Sequence, residues 1–284
     1  MQVYDLTKHG AGDSTYASAP ARLPKPSLLF TACEIGRFAV ELPSSLIVDA
    51  LVPASDDGHG RPVLVLPGFY SPDVATARCR SHLSRLGYTP YGWGLGRNYG
   101  LTDEIIDGVL ARFDEVQAGH DEPVSVVGWS FGGLLARWVA HQRPDRVHQV
   151  ICLGSPYRPE GEHTRTTPLF ERTARTHGLS ERTLEVVETL RQPLPVPATA
   201  IYSRTDGMVN WRGCRLDAGE GVNIAVPSSH LGLLSNPLAL AVLADRLAQD
   251  PHDPEPFDWG VCLRRGVLGP PAPRPVSRPE TSVA

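Results

Sequence analysis

The strongest constraint on the fold is a set of short apolar runs separated by longer stretches of helical character. Pro62–Leu66 (PVLVL), Pro123–Val127 (PVSVV), Val150–Leu153 (VICL) and Ala198–Tyr202 (ATAIY) are rich in β-branched residues and almost free of polar alternation. A strand can be apolar on both faces only where both faces are covered, as in a parallel sheet held between helical layers. Thr89–Trp93 and Val222–Val226 bring the set to about six strands. Between them, Pro72–Leu86, Asp103–Gln117, Phe131–His141 and Asn236–Gln249 place apolar residues at helical spacing; in the second of these, Ile105, Ile106, Val109, Leu110 and Phe113 share one face. This alternation predicts an α/β protein with a mostly parallel sheet and helices on both of its faces.

The rest of the chain divides around that unit. Residues 1–27 read as a loose arm and 28–60 as an N-terminal helix with a linker. Leu28, Ala32, Ile35, Ala39 and Leu42 fall on one helical stripe, predicting a helix that ends near Pro43 and packs this stripe against the domain; its polar face lacks the Lys and Arg of a membrane-surface helix. The main domain runs over 61–249, and within it 157–196 breaks the alternation and reads as a small helical cap, with helices over Pro168–His177 and Ser180–Arg191. Residues 250–284 hold eight of the 27 prolines and read as an extended tail.

Several partner classes are poor matches. A net charge of −4 offers no basic excess for a phosphate backbone, so nucleic acid is not expected. Cys33, Cys79, Cys152, Cys214 and Cys262 are scattered without a C-x-x-C pair or neighbouring His at metal spacing. They read as reduced thiols of a cytoplasmic protein with no metal site, a Cys214–Cys262 bridge being the alternative. The first residues lack the apolar core of a secretory leader. Ser27–Val52 is too interrupted by Glu34, Arg37, Glu41 and Pro43 for stable membrane insertion.

The chemistry concentrates in Gly128-Trp129-Ser130-Phe131-Gly132-Gly133. G-x-S-x-G alone is a weak signal, but here a buried strand precedes it and an amphipathic helix follows, so Ser130 falls on a strand-to-helix turn. Such a turn exposes the hydroxyl at the carboxyl end of the sheet, and the Phe131 amide opens a helix whose positive end suits a developing oxyanion. A serine hydroxyl needs a base, and the base needs a carboxylate to orient it. Asp206, in SRTDGMV, and His230, in PSSHLGLL, each follow the carboxyl end of a predicted strand, so the three groups can converge above one edge of the sheet. A second oxyanion donor is expected from the Phe69 amide after Leu66-Pro67-Gly68, with Gly68 permitting the backbone twist. Trp129, Tyr70, Arg97, Asn98 and Phe170 are candidate substrate contacts; Arg97 and Asn98 read more readily as anchors of the Gly92–Gly100 loop. Leu169, Phe170, Leu184 and Val187 are placed to line or cover an apolar pocket.

The combination of LPGF, GWSFGG, SRTDGMV and SHLGLL, over about Arg61–Ala248, resembles the α/β-hydrolase superfamily and, more narrowly, its bacterial lipase-like esterases. LGSPY (Leu153–Tyr157) is similar to the LGTPH of those lipases, with Tyr157 in place of His. Pro67-Gly68 replaces the His-Gly common in the oxyanion loop, and Trp129 stands where true lipases have His; GWSxGG is also similar to pimeloyl-carrier-protein methyl ester esterases. The resemblance implies an α/β-hydrolase fold and a serine hydrolase, without cofactor, that cleaves a small-molecule or lipid-like carboxylic ester through an acyl-enzyme. The same triad serves acyltransferases and thioesterases, and the fold also carries non-catalytic binding scaffolds.

Overall fold

The computed structural model describes residues 23–51, 55, 58–156 and 180–260. At its centre are six strands: β1 (Pro62–Leu66), β2 (Thr89–Gly92), β3 (Val124–Trp129), β4 (Val147–Leu153), β5 (Ala198–Tyr202) and β6 (Val222–Ala225). They form one sheet in the order β2-β1-β3-β4-β5-β6, and every pairing is parallel. The chain winds from β1 outward to β2, then crosses back to β3 and winds the other way. The connections after β1 and β3 therefore diverge, leaving a crevice at their carboxyl ends, where ligands of open α/β sheets bind.

Around the sheet lie α1 (Leu28–Leu51), α2 (Ala77–Arg85), α3 (Asp103–Ala118), α4 (Phe131–Gln142), α5 (Glu181–Thr189) and α6 (Pro237–Leu247). The pleat sends alternate strand residues to opposite layers. Leu64, Leu66, Val126 and Val150 meet Ile106, Phe113, Leu135, Trp138 and Leu190 on the α3, α4 and α5 side. Val63, Val65, Val127, Ile151 and Ile201 meet Cys79, Leu83, Leu240 and Leu243 on the α2 and α6 side. Burial pushes the Cys79 thiol up to about 12 and that of Cys152 to about 11, so both remain protonated and act as small core hydrophobes. Local signals agree with the helix starts: the Thr102 and Ser180 hydroxyls accept from the amides of Ile105 and Thr183, and Asn236 accepts from Leu238 with Pro237 in the first turn. The predicted helix from Pro72 opens instead with a 3₁₀ turn over Asp73–Thr76.

α1 corrects two expectations. It does not end near Pro43 but continues to Leu51. Proline removes one intrahelical donor, and the Ser44 and Ser45 hydroxyls just after it donate to the Val40 and Leu42 carbonyls just before it. Beyond that point the helix is tied down from outside: Arg78 of α2 donates to the Ser45 hydroxyl and carbonyl and pairs with Asp49 at 2.9 Å, and His82 also meets Asp49. The second correction concerns the packed face. Leu28 and Ile35 are 73% and 75% exposed whereas Glu34 is 3% exposed, so the apolar stripe points outward and the polar stripe inward. Inward-facing Glu34 and Glu41 accept from four loop amides, those of Gly207, Ser229, His230 and Leu231. Each such donor, left unmade in a buried site, costs about 1–3 kcal/mol, comparable with burying one aliphatic side chain; four of them set the roll of the helix.

Residues 157–179, which contain the predicted helix 168–177, Phe170 and Leu169, lie outside the described residues, as do Cys262 and the tail beyond 260. Of the remaining pocket candidates, Leu184 is 48% exposed and Val187 packs against the core on the α3 and α4 side.

The crossing of β3 and α4 requires glycine. A Cβ on Gly128 would overlap the Gly132 carbonyl and the Gly133 backbone, neither of which can rotate away. Gly128→Ala is therefore expected to destabilise the protein by about 1–3 kcal/mol or more, read as a lower urea midpoint; an unchanged midpoint would show that this turn relaxes freely.

Candidate active site

Ser130 links β3 to α4 with φ 52° and ψ −125°, a conformation that non-glycine residues rarely adopt and that costs about 1–3 kcal/mol. The surroundings over-determine it. The Ser130 amide donates to the Leu153 carbonyl of β4 at 2.8 Å, and its own carbonyl accepts from Gly133 at 3.0 Å. The side chain consequently stands at the carboxyl edge of the sheet and remains partly exposed.

Asp206 and His230 follow β5 and β6, and the fold brings them together. His230 Nδ1 lies 2.7 Å from Asp206 Oδ2, with both side chains almost fully buried. Oδ1 of the same carboxylate accepts from the amides of Met208 and Val209 at 2.7 and 2.8 Å, which fixes its plane. Ser203 joins the two loops, its hydroxyl accepting from the amides of Thr205 and Ser228. Burial by itself would push the His230 imidazole down, but the charge and hydrogen bond of Asp206, aided by the Glu34 charge, more than offset it; the net direction is upward.

Trp129, a candidate substrate contact, is 6% exposed. Its Nε1 donates to the His230 carbonyl at 3.0 Å and its ring lies 5.5 Å from the imidazole, so the residue before Ser130 supports the histidine loop from β3. Asn98 is fully buried; its Nδ2 donates to the Pro67 carbonyl at 2.8 Å and its Oδ1 accepts from Gly100 at 3.0 Å. Arg97 donates to the Tyr70 carbonyl at 2.6 Å and lies over the Tyr70 ring at 4.8 Å. Both side chains thus anchor the Gly92–Gly100 loop to the segment after β1. In that segment Tyr70 takes the left-handed conformation, at φ 60°, and Gly68 does not. Gly68 lies close to the serine turn, where a Cβ would meet the Trp129 ring at 3.0 Å and Ser130 Cβ at 3.1 Å. Phe69 therefore runs alongside the serine turn, its ring 5.8 Å from that of Phe131.

The residues missed in the sequence are those of α1. Glu34 and Glu41 hydrogen-bond directly to the histidine loop, yet carboxylates on an exposed helix ordinarily read as a solvated face. The available signal was the spacing of Thr31, Glu34, Glu41 and Ser45, polar residues three, four or seven apart on one side of an otherwise apolar helix. Among the described residues there is no cluster of His, Cys, Asp or Glu suited to a metal ion, and no helix is long and apolar enough to cross a membrane.

Because Asn98 satisfies one carbonyl and one amide in a buried position, Asn98→Ala is expected to lower stability by about 1–3 kcal/mol in urea unfolding. An effect within a few tenths would mean that water replaces both bonds.

Residues 96–176 match the family profile described as alpha/beta hydrolase fold. No curated protein sequence matches the chain. Among solved structures, Aspergillus fumigatus lipase B is similar with a TM-score of 0.55 and 22% identity over 78% of this chain and 64% of that one. The chain thus spans less than two thirds of that lipase's length. The monoacylglycerol lipase of Paleococcus ferrophilus gives a TM-score of 0.47 at 14% identity, covering 66% of this chain and 96% of that one. A thioesterase domain from the curacin biosynthetic pathway gives 0.45 at 16% identity, covering 68% and 92%. With six parallel strands, a switch point between β1 and β3 and a strained serine turn beside it, the chain has the α/β-hydrolase fold.

Proposed function

We propose that the protein is a serine hydrolase that cleaves a carboxylic ester through an acyl-enzyme. The observation that carries this reading is the buried 2.7 Å contact between His230 Nδ1 and Asp206 Oδ2 beside the strained Ser130 turn. With Nδ1–H donated to the carboxylate, Nε2 is left as the proton acceptor. In the proposed reaction Ser130 Oγ attacks the ester carbonyl while His230 Nε2 takes its proton. The amides of Phe131 and Phe69 receive the oxyanion, and the imidazolium gives its proton to the departing alcohol. Water then repeats the sequence on the acyl-enzyme, with His230 as base, and releases the acid. Asp206 keeps the imidazole in one tautomer and stabilises its cation without itself taking the proton.

The substrate is read as a small or lipid-like ester. Phe69, Tyr70, Tyr99 and Phe131 form a run of partly exposed rings beside Ser130, with neighbouring centroids 5.7–6.3 Å apart, a surface that favours an apolar group over a charged one. A fluorophosphonate probe is expected to label Ser130, and Ser130→Ala to abolish both labelling and hydrolysis of nitrophenyl esters; labelling that survives the substitution would remove Ser130 as nucleophile. Product that forms only with an added alcohol or thiol would replace hydrolysis by acyl transfer. Asp206→Asn is expected to lower kcat by about 10⁴-fold.

The pH dependence has a definite sign. His230 must be neutral to accept the serine proton, so kcat/KM rises with pH as the imidazolium is lost. Because Asp206 and Glu34 outweigh burial and raise the His230 pKa, the midpoint of that rise is expected above the ordinary histidine value of about 6.5. A midpoint below it, measured on kcat/KM, would contradict the assignment of His230 as base.

A further inference from the structure

We propose that α1 is a clamp on the catalytic loops, in which Glu34 and Glu41 are positioning residues that hold the Asp206 and His230 loops in their working geometry. The inference rests on the triad reading above and adds residues from a part of the chain that contains none of the three groups.

Glu34 lies at the junction of the two loops. Its Oε1 accepts from the Gly207 amide at 2.8 Å and from the His230 amide at 3.1 Å, and Oε2 accepts from Leu231 at 3.2 Å. One carboxylate thereby binds the backbone immediately after the acid and the backbone of the base itself. Two turns on, Glu41 accepts from the Ser229 amide at 2.8 Å and from the Ser229 hydroxyl. That hydroxyl oxygen in turn accepts from the Gly232 amide at 2.9 Å. From the same face, Thr31 donates to the Gly207 carbonyl at 2.7 Å, and Arg37 donates to the Thr205 carbonyl and hydroxyl at 2.7 and 2.9 Å. The segments on either side of Asp206 and His230 are thus held by four side chains of one helix.

Steric detail agrees with a fitted contact. A Cβ on Gly207 would collide with the backbone of Phe30 and Thr31, and one on Gly232 would overlap the Glu41 carboxylate. Each loop carries glycine where α1 touches it. A rigid element that places the acid and base within a fraction of an ångström is what a proton relay needs, since a misplacement of about 1 Å costs about 100-fold in rate.

The charged groups facing His230 are Asp206 from the β5–β6 connection and, from α1, Glu34 directly and Glu41 through Ser229, with Arg37 near Glu41 at 3.9 Å. Glu34→Gln retains an oxygen for Gly207 and His230, but its amide opposes the Leu231 N–H and carries no charge. Glu34→Asp keeps the charge on a shorter stem. Both variants are made in the full chain, checked for folding by circular dichroism, and compared with the parent in two ways. The first is the pH titration of the His230 ring followed by NMR of histidine-labelled protein, which needs no substrate. The second is kcat/KM for a nitrophenyl ester across pH. Glu34→Gln is expected to move the His230 midpoint to lower pH and to reduce kcat/KM by about 10–100-fold, with Glu34→Asp retaining the parent midpoint and intermediate activity. An unchanged midpoint together with kcat/KM within twofold of the parent in Glu34→Gln would overturn the clamp. A parent that hydrolyses no ester would overturn the proposed function instead, and the ring titration would still decide whether Glu34 acts on His230. A downward-shifted midpoint in Glu34→Gln that Glu34→Asp shares would assign the effect to lost geometry rather than charge, which supports the clamp.

Discussion

The organisation of the molecule depends on how closely three backbone segments approach at the end of β3. The first turn of α4 passes so near β1 and β3 that Gly128 and Gly132 cannot carry a side chain: a Cβ on Gly132 would run into the Leu66 and Pro67 carbonyls of the neighbouring strand end. With both flanks closed, Ser130 is held at φ 52°, and the hydrogen bond from its amide to Leu153 ties the turn to β4 as well. The strain is local, whereas the packing that sustains it is distributed over the strands around the switch point. Ser130 is thus set by rigid sheet geometry, while Asp206 and His230 come from loops that need separate support.

That separation explains the polar architecture above the sheet. Loops after β5 and β6 expose amides and a carbonyl that no strand partner satisfies, and the side chains that do so also aim Asp206 and His230. Trp129 does so from the sheet, Ser203 from within the acid loop, and Glu34 and Glu41 from outside. The imidazole consequently sits among carboxylates in a buried site, where each opposing charge acts more strongly than it would in water and the cation is favoured despite the cost of burial.

Much of this was legible in the sequence, and the division between what was and was not has a physical origin. Uniformly apolar runs report two-sided burial, so β1, β3 and β5 could be placed from them, and the position of Asp206 after β5 followed; β6, interrupted by Asn223, is placed by its spacing, with His230 after it. The helix from Leu28 was legible as a helix but not in its roll or its length. Hydrophobic periodicity assumes that the apolar stripe turns inward, yet in α1 the inner face is decided by unpaired loop amides about 170 to 200 residues away. The same separation hid the second role of Trp129, whose hydrogen-bond partner lies 101 residues along the chain. Periodicity reports which residues share a face; it does not report which long-range donors that face must satisfy.

The placement of α1 also has a consequence for the order in which the protein is made. The helix precedes every strand of the sheet, and its partner His230 follows Glu34 by 196 residues. All six strands and the serine turn precede His230 in the sequence, so they can pair and close before the histidine loop does. The loops that carry Asp206 and His230 acquire their outer support only when they return to α1, a contact of very long sequence separation and correspondingly slow to form. A chain that stops short of that closure holds the sheet and the strained Ser130 turn, with the histidine loop still lacking its outer support.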